Sequence, residues 1–279
     1  MILDTIAEST RKRVARAKEK CSLEELKAII YDGICVRSFH NRYAFAFERA
    51  LRTIVYSSVD KAEANLPKQS VAFICEVKKA SPSKGVIAVD FPYLDIAREY
   101  EKAGANAISV LTEPEYFQGA DHFLTEISDL VHIPVLRKDF TIDEYQIYEA
   151  KVIGADAVLL ICSLLDTDTL RKYLSLCNEL GLSALVEAHT EQEVISAVEA
   201  GARIIGVNNR NLQTFEVDLN NSIKLRSLVP KDIIFVAESG IQTAEDIELL
   251  RDAGVNAVLI GETLMRSKNK KEQLSYLRG

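Results

Sequence analysis

Short apolar runs and amphipathic stretches alternate along most of this chain. VAFICEVKK, HIPVLRKDF, LSALVEAHT and DIIFVAESG predict strands around residues 71–78, 133–138, 183–187 and 233–238. Four further segments echo one another: AGANAISVL (103–111), IGADAVLLI (153–161), AGARIIGV (200–207) and AGVNAVLIG (253–261). Each reads as a helix end, a glycine, a small or polar residue or two, and then a strand. Glycine fits the left-handed position that stops a helix. Gly104, Gly154, Gly201 and Gly254 are spaced by 50, 47 and 53 residues, twice one strand–helix unit, so a second strand belongs in each interval. Between strands lie amphipathic stretches such as YLDIAREYEKAGA, DEYQIYEAKVIGA, DTLRKYLSLCNELG, EQEVISAVEAGA and AEDIELLRDAGV. Eight buried strands alternating with helices predict an α/β fold, a closed (β/α)8 TIM barrel. The alternative, a doubly wound open sheet, normally carries a glycine-rich fingerprint after its first strand, and this sequence has none.

Residues 1 to about 65 precede the first barrel strand and read as helical: ILDTIAESTRKRVARAKEK, SLEELKAII and AFAFERALR. No Pro/Gly/Ser-rich linker sets them apart. They are expected to form an N-terminal extension capping one end of the barrel, so that 1–279 is one domain. That length suits a single barrel. A net charge of −7 argues against a nucleic-acid surface, and acids interrupt the basic clusters at 11–20 and 266–273, which read as solvated helix faces. The five cysteines are scattered with no CxxC pair, as in a reducing compartment. With no signal-peptide core and no membrane-length apolar run, the expected location is cytoplasmic.

Chemistry enters through parity. Counting strands one to eight, every odd strand ends in ionisable residues: Glu76 and Lys78, then Lys138, then Glu187, then Glu238. Charges often end strands simply because strands end in water. Here strand alternation places Glu76 and Lys78 on the face of Ala72 and Ile74, Glu187 with Leu185, and Glu238 with Val236. If those faces point inward, five charges converge on the C-terminal mouth, where such barrels hold their active sites. Carboxylates and amines clustered in a low-dielectric cup shift one another's pKa values toward acid–base work.

The even strands supply different groups. The sixth ends in Asn208, Asn209 and Arg210, neutral hydrogen-bonding groups and one planar cation suited to a carboxylate or phosphate. The turns after strands seven and eight, ESGI (238–241) and GETL (261–264), expose backbone N–H groups toward the mouth, the usual phosphate position of this fold. The four histidines form no HxxxH pair; His189 reads as a surface residue and no metal is expected. Cys75 is one residue from Glu76 and is expected to face the helices as a packed thiol. A Schiff base at Lys78 or Lys138 stays open.

EVKKASPSKG, LTEPEYFQG, RKDF, LVEAHTEQE, IGVNNRNLQTFEVDL, AESGI and GETLM resemble, in order and spacing, the motifs of the indole-3-glycerol phosphate synthase family, over residues 30 to 267. The resemblance implies conversion of 1-(2-carboxyphenylamino)-1-deoxyribulose 5-phosphate to indole-3-glycerol phosphate, with loss of carbon dioxide and water, in tryptophan biosynthesis and without cofactor or metal. It makes Lys138 the general acid and Glu187 its acid/base partner. Lys78 becomes a substrate-anion contact or dehydration acid, and Glu76 and Glu238 become orienting carboxylates. Asn208 and Arg210 match polar substrate contacts. Ser81, Ser239, Gly240, Gly261 and Glu262 match the phosphate site, Glu262 through its backbone N–H, with Lys84 a further anion contact. Leu111, Phe117, Phe140, Leu159 and Ile161 match the apolar wall around the aromatic ring. Cys75, often alanine in relatives, is a departure without consequence if it faces outward.

Two rival readings carry their own tests. A phosphoribosylanthranilate isomerase-like enzyme resembles a cysteine on strand one working with an aspartate on strand six; here strand six ends in Asn208. A non-catalytic phosphosugar-binding barrel keeps the glycine turns but has no use for Lys138 or Glu187. The expected partner is a small phosphosugar, with neither nucleic acid nor membrane, and the expected state is a monomer.

Overall fold

The computed structural model describes residues 2–32, 43–52, 70–211 and 214–279. Cys35, His40, Leu212 and the stretches 33–42 and 53–65 of the expected extension lie outside the described residues.

Eight strands close into a barrel: β1 (Ala72–Val77), β2 (Ala107–Leu111), β3 (Val135–Lys138), β4 (Ala157–Ile161), β5 (Ser183–Ala188), β6 (Ile204–Asn208), β7 (Ile234–Glu238) and β8 (Ala257–Ile260). Every neighbouring pair is parallel, and β1 pairs with both β2 and β8. A small antiparallel hairpin, Ala80–Ser81 with Gly85–Val86, follows β1 at the mouth. Alternation sorts the strand side chains into two cores. Ala72, Ile74, Ala107, Leu136, Leu159, Leu185, Val236 and Leu259 fill the interior. Phe73, Cys75, Val110, Leu160, Val186 and Phe235 pack outward against the helices. The strands are therefore apolar on both faces, as the unbroken apolar runs required.

Twelve helices are described: α1 (Ile2–Lys20), α2 (Leu23–Tyr31), α3 (Ala46–Arg52), α4 (Tyr93–Lys102), α5 (Asp121–Leu130), α6 (Glu144–Val152), α7 (Thr167–Glu179), α8 (Glu191–Ala200), α9 (Asn220–Arg226), α10 (Ala244–Asp252), α11 (Glu262–Arg266) and α12 (Lys270–Arg278). Side-chain caps start several of them: Asp143, Asp166, Thr190 and Thr243 each accept a first-turn N–H. At the far ends Gly104, Gly154, Gly201 and Gly254 adopt φ of 87°, 96°, 89° and 85°, the conformation expected of residues that stop a helix and reverse into a strand. No described helix is long and apolar enough to cross a membrane.

The extension differs from a cap on one end. Helix α3 plugs the barrel floor: Phe47 and Leu51 join the interior cluster, and the Glu48 N–H donates to Ser183 Oγ at the start of β5. Helix α1 lies at the opposite end, where Ile2, Leu3 and Ile6 line the mouth. The physical reason is that both ends of a closed barrel expose apolar side chains. Within the basic cluster at 11–20, Arg13 is also not a solvated residue: it makes paired hydrogen bonds of 2.8 and 2.6 Å to buried Asp139, just past β3. Arg137, fully buried on the outer face of β3, reaches Asp121 and Glu149 at 2.8 Å each and completes this tie.

Candidate active site

Lys138 ends β3 and points inward because it shares a face with Leu136. Its register partner is Leu111 on β2. Around it stand Glu187, the register partner of Ile161, and Glu238, the partner of both Asn208 and Leu259. Lys138 Nζ lies 3.3 Å from Glu187 Oε2 and 3.9 Å from Glu238 Oε2. On β1, Glu76 Oε1 and Lys78 Nζ make an ion pair of 2.5 Å. All five charges face one cavity of about 1030 Å³ at the C-terminal mouth. Lys79, one residue out of phase, is not among the residues lining it.

The environments drive these groups apart. Burial pulls the Lys138 ammonium down, but the Glu187, Glu238 and Glu76 carboxylates outweigh it and hold its pKa above the ordinary lysine value. Burial pushes Glu187 up, yet Lys138 and His189 reverse that and keep it below the usual carboxylate range. Glu238 goes the other way. Burial, then the neighbouring Glu187 charge, lift its carboxyl well above the ordinary value. The surroundings therefore favour the charged form of Lys138, the ionised form of Glu187 and the protonated form of Glu238. Two carboxyls with opposed shifts are what acid–base division of labour requires.

Two glycines make room for this cluster. A Cβ on Gly206, inward on β6, would overlap Glu238 Oε1, and one on Gly261 would overlap Glu76 Oε1. Gly206 was not among the residues singled out from sequence. Its signal was a glycine inside a buried strand, which marks close approach of another group.

One side of the cavity is apolar. Phe117 and Phe140 face each other with ring centroids 6.1 Å apart, and Leu111, Leu159 and Ile161 continue the wall. Buried Glu113 shapes the loop that carries Phe117 by accepting the N–H groups of Glu115, Tyr116 and Phe117. Leu3 and Ile6 of α1 close the wall from above, a contribution the sequence motifs did not reveal.

The other side is polar. Ser239 and Gly240 have consecutive positive φ of 67° and 86°; for Ser239 this is a strained conformation of the kind that gathers at functional sites. Ser81, Arg210, Gly261 and Glu262 line the same region. The Glu262 side chain is held by Arg266 at 3.0 Å, with Lys84 at 3.7 Å and Arg210 at 4.0 Å. Asn208 accepts the Arg210 N–H through Oδ1, leaving its amino group for the cavity. Asn209 does not join the mouth: it is buried behind it, accepting from Ser222 and donating to the Ser239 carbonyl. Strand parity explains the split between these adjacent asparagines.

The eighteen residues assigned to the site by the family resemblance, Lys84 included, all line this one cavity, whereas Asn209 does not. His189 corrects its expectation, because it is not a surface residue. Its side chain is 13 % exposed, with Nε2 3.5 Å from Glu187 Oε1 and Nδ1 3.4 Å from Glu193 Oε2. Cys75 behaves as expected: it is fully buried among the outer residues, where burial pushes its thiol up to about 12. With Cys75 turned away and Asn208 ending β6, the cysteine–aspartate pair of the rival isomerase has no counterpart.

A closed barrel whose mouth gathers lysines and carboxylates from its odd strands defines an acid–base barrel enzyme. The family model described as "Indole-3-glycerol phosphate synthase" matches residues 3–277, and the chain belongs to that family. It is 57 % identical over 279 residues to an indole-3-glycerol phosphate synthase of Ruminiclostridium cellulolyticum, covering 100 % of this chain and 99 % of the relative. It is 54 % identical over 278 residues to that of Endomicrobium trichonymphae, covering 100 % of both. Among solved structures, a 3-hexulose-6-phosphate synthase from Salmonella typhimurium superposes with a TM-score of 0.62 at 14 % identity, over 75 % of this chain and 97 % of that one. That likeness concerns the fold alone.

Proposed function

We propose that the chain catalyses the reaction of its family: ring closure of 1-(2-carboxyphenylamino)-1-deoxyribulose 5-phosphate, with loss of carbon dioxide and water. The observation that carries this reading is the Lys138 ammonium 3.3 Å from Glu187, beside an aromatic wall and opposite a cationic rim. Lys138 gives its proton to the ribulose carbonyl oxygen as the carboxylate-bearing ring carbon bonds to the carbonyl carbon. Carbon dioxide then leaves, and its bonding pair restores the aromatic ring. In the second stage the new hydroxyl departs as water, taking a proton from a site acid while Glu187 removes one from the substrate. Lys78, whose Nζ lies beside Gly261, serves either as that acid or as an anion contact.

Phe117, Phe140, Leu111, Leu159 and Ile161 hold the aromatic ring. Asn208 and Arg210 orient the sugar, while Ser81 and the Ser239–Gly240 and Gly261–Glu262 turns take the phosphate. Apolar burial at one end and ionic anchoring at the other fix the chain of the substrate across Lys138. A cytoplasmic setting and a monomeric state accompany this reading. The test is to supply the carboxyphenylamino-deoxyribulose phosphate and follow indole fluorescence together with released carbon dioxide. Equal amounts of both support it. Binding without product supports the non-catalytic phosphosugar barrel instead.

A further inference from the structure

His189 follows β5, is largely buried, and has no part in the scheme above. Both of its ring nitrogens are shielded from solvent, and neither has a hydrogen-bond partner of good geometry among the described residues. Each instead faces a carboxylate, Glu187 at 3.5 Å on the cavity side and Glu193 at 3.4 Å behind.

We infer that His189 is a positioning residue for Glu187, an imidazole ring clamped between two carboxylates that fixes Glu187 by Oε1 and leaves Oε2 to Lys138. The inference rests on the assignment of Glu187 made above. Glu193 supplies the clamp. Its Oε2 accepts the backbone N–H of His189 at 2.5 Å, and its Oε1 accepts Ser163 Oγ at 2.7 Å, so the carboxylate cannot swing away from the ring. Asn221 on α9 donates to the His189 carbonyl and holds the backbone from the other side.

The charged groups facing the ring are Glu187 from β5, Glu193 from α8 and Lys138 from β3. Burial disfavours the imidazolium, but Glu193 and Glu187 outweigh burial and the opposing Lys138, raising the His189 pKa above the ordinary value. Glu193 is depressed to about 2, with burial opposing and the facing His189 ring, the Ser163 hydroxyl and the His189 backbone N–H prevailing. The arrangement resembles a carboxylate behind a catalytic imidazole, with the order changed so that the imidazole stands behind the working carboxylate. Its consequence is that Glu187 stays ionised and in one orientation, ready to remove a proton.

The experiment is a kcat and KM pH profile of ring closure for wild type, His189→Gln and Glu193→Gln. In parallel, wild-type protein carrying ¹³C-labelled histidine is titrated by NMR. Expected for His189→Gln are a kcat lower by on the order of tenfold, a KM within about twofold, and an acid limb displaced upward by about one pH unit. Glu193→Gln moves the limb the same way by less. In wild type the His189 resonance titrates above the ordinary range near 6.5. A folded His189→Gln with an unmoved acid limb overturns the inference while leaving the assignment of Glu187 intact. A wild-type His189 that titrates at or below the ordinary value overturns it without any variant. A wild type that forms no product overturns the Glu187 assignment, and the inference with it.

Discussion

Lys138 Nζ and Glu187 Oε2 stand 3.3 Å apart although 49 residues of chain separate them. The barrel brings them together through two features, strand parity and the inward face shared by β3 and β5. Glu238 joins the pair from β7 at 3.9 Å. One ammonium beside two carboxyls whose pKa values are pushed in opposite directions is the arrangement from which the following outcomes are derived.

Glu187→Gln should lower kcat by about 10²- to 10⁴-fold, the usual worth of a positioned acid or base, and change KM little. In the proposed scheme the activity requires ionised Glu187, whose pKa is lowered. Activity should therefore persist below the ordinary carboxylate range and fall only as pH drops through that lowered value. A steady-state pH profile checks both outcomes.

Glu238 supplies a stability signature. Its folded-state pKa is raised, so its contribution is fully present below the unfolded value and is lost as pH rises through the folded one. Above about pH 4.5, wild type should lose stability relative to Glu238→Gln by up to about 1.4 kcal/mol per pH unit. Urea midpoints over a pH series read this directly. A difference that stays flat with pH would show Glu238 to be ionised at rest.

Gly206→Ala should displace the Glu238 carboxyl without removing any ionisable group. Its Cβ overlaps the space of Glu238 Oε1, so the carboxyl must turn away from Lys138. The expected result is a kcat lowered by on the order of tenfold in a folded protein, measured beside its circular dichroism spectrum.

Asp139→Asn should release α1 from the mouth. Asp139 is buried and ionised, held below its ordinary pKa because Arg13 and Arg137 outweigh its burial, and Thr112 donates to it at 2.6 Å. Removing its charge leaves buried Arg137 short of a partner and should cost about 3 kcal/mol in a denaturation experiment.

Most of the barrel and its mouth were legible in the sequence because two periodicities carry the information. The two-residue alternation of VAFICEVKK fixed which of Cys75, Glu76 and Lys78 faces inward. The repeated helix-ending glycines fixed how many strands there are. What escaped was information with no local signature. Arg13 and Asp139 are 126 residues apart, and nothing within the basic run at 11–20 distinguishes Arg13 from its neighbours. The plugging of the floor by Phe47 and the roofing of the mouth by Leu3 and Ile6 depend on where the extension's chain runs. His189 was read from its lack of a metal-ligand spacing, whereas its environment is set by Glu193 one helical turn later.

The most direct test of the account is turnover of the carboxyphenylamino-deoxyribulose phosphate by Lys138→Ala beside wild type, read by indole fluorescence, with substrate affinity measured separately. The account predicts product from wild type, and a variant that still folds and binds substrate but turns over at least about 10²-fold more slowly. A variant with near-normal turnover would contradict it.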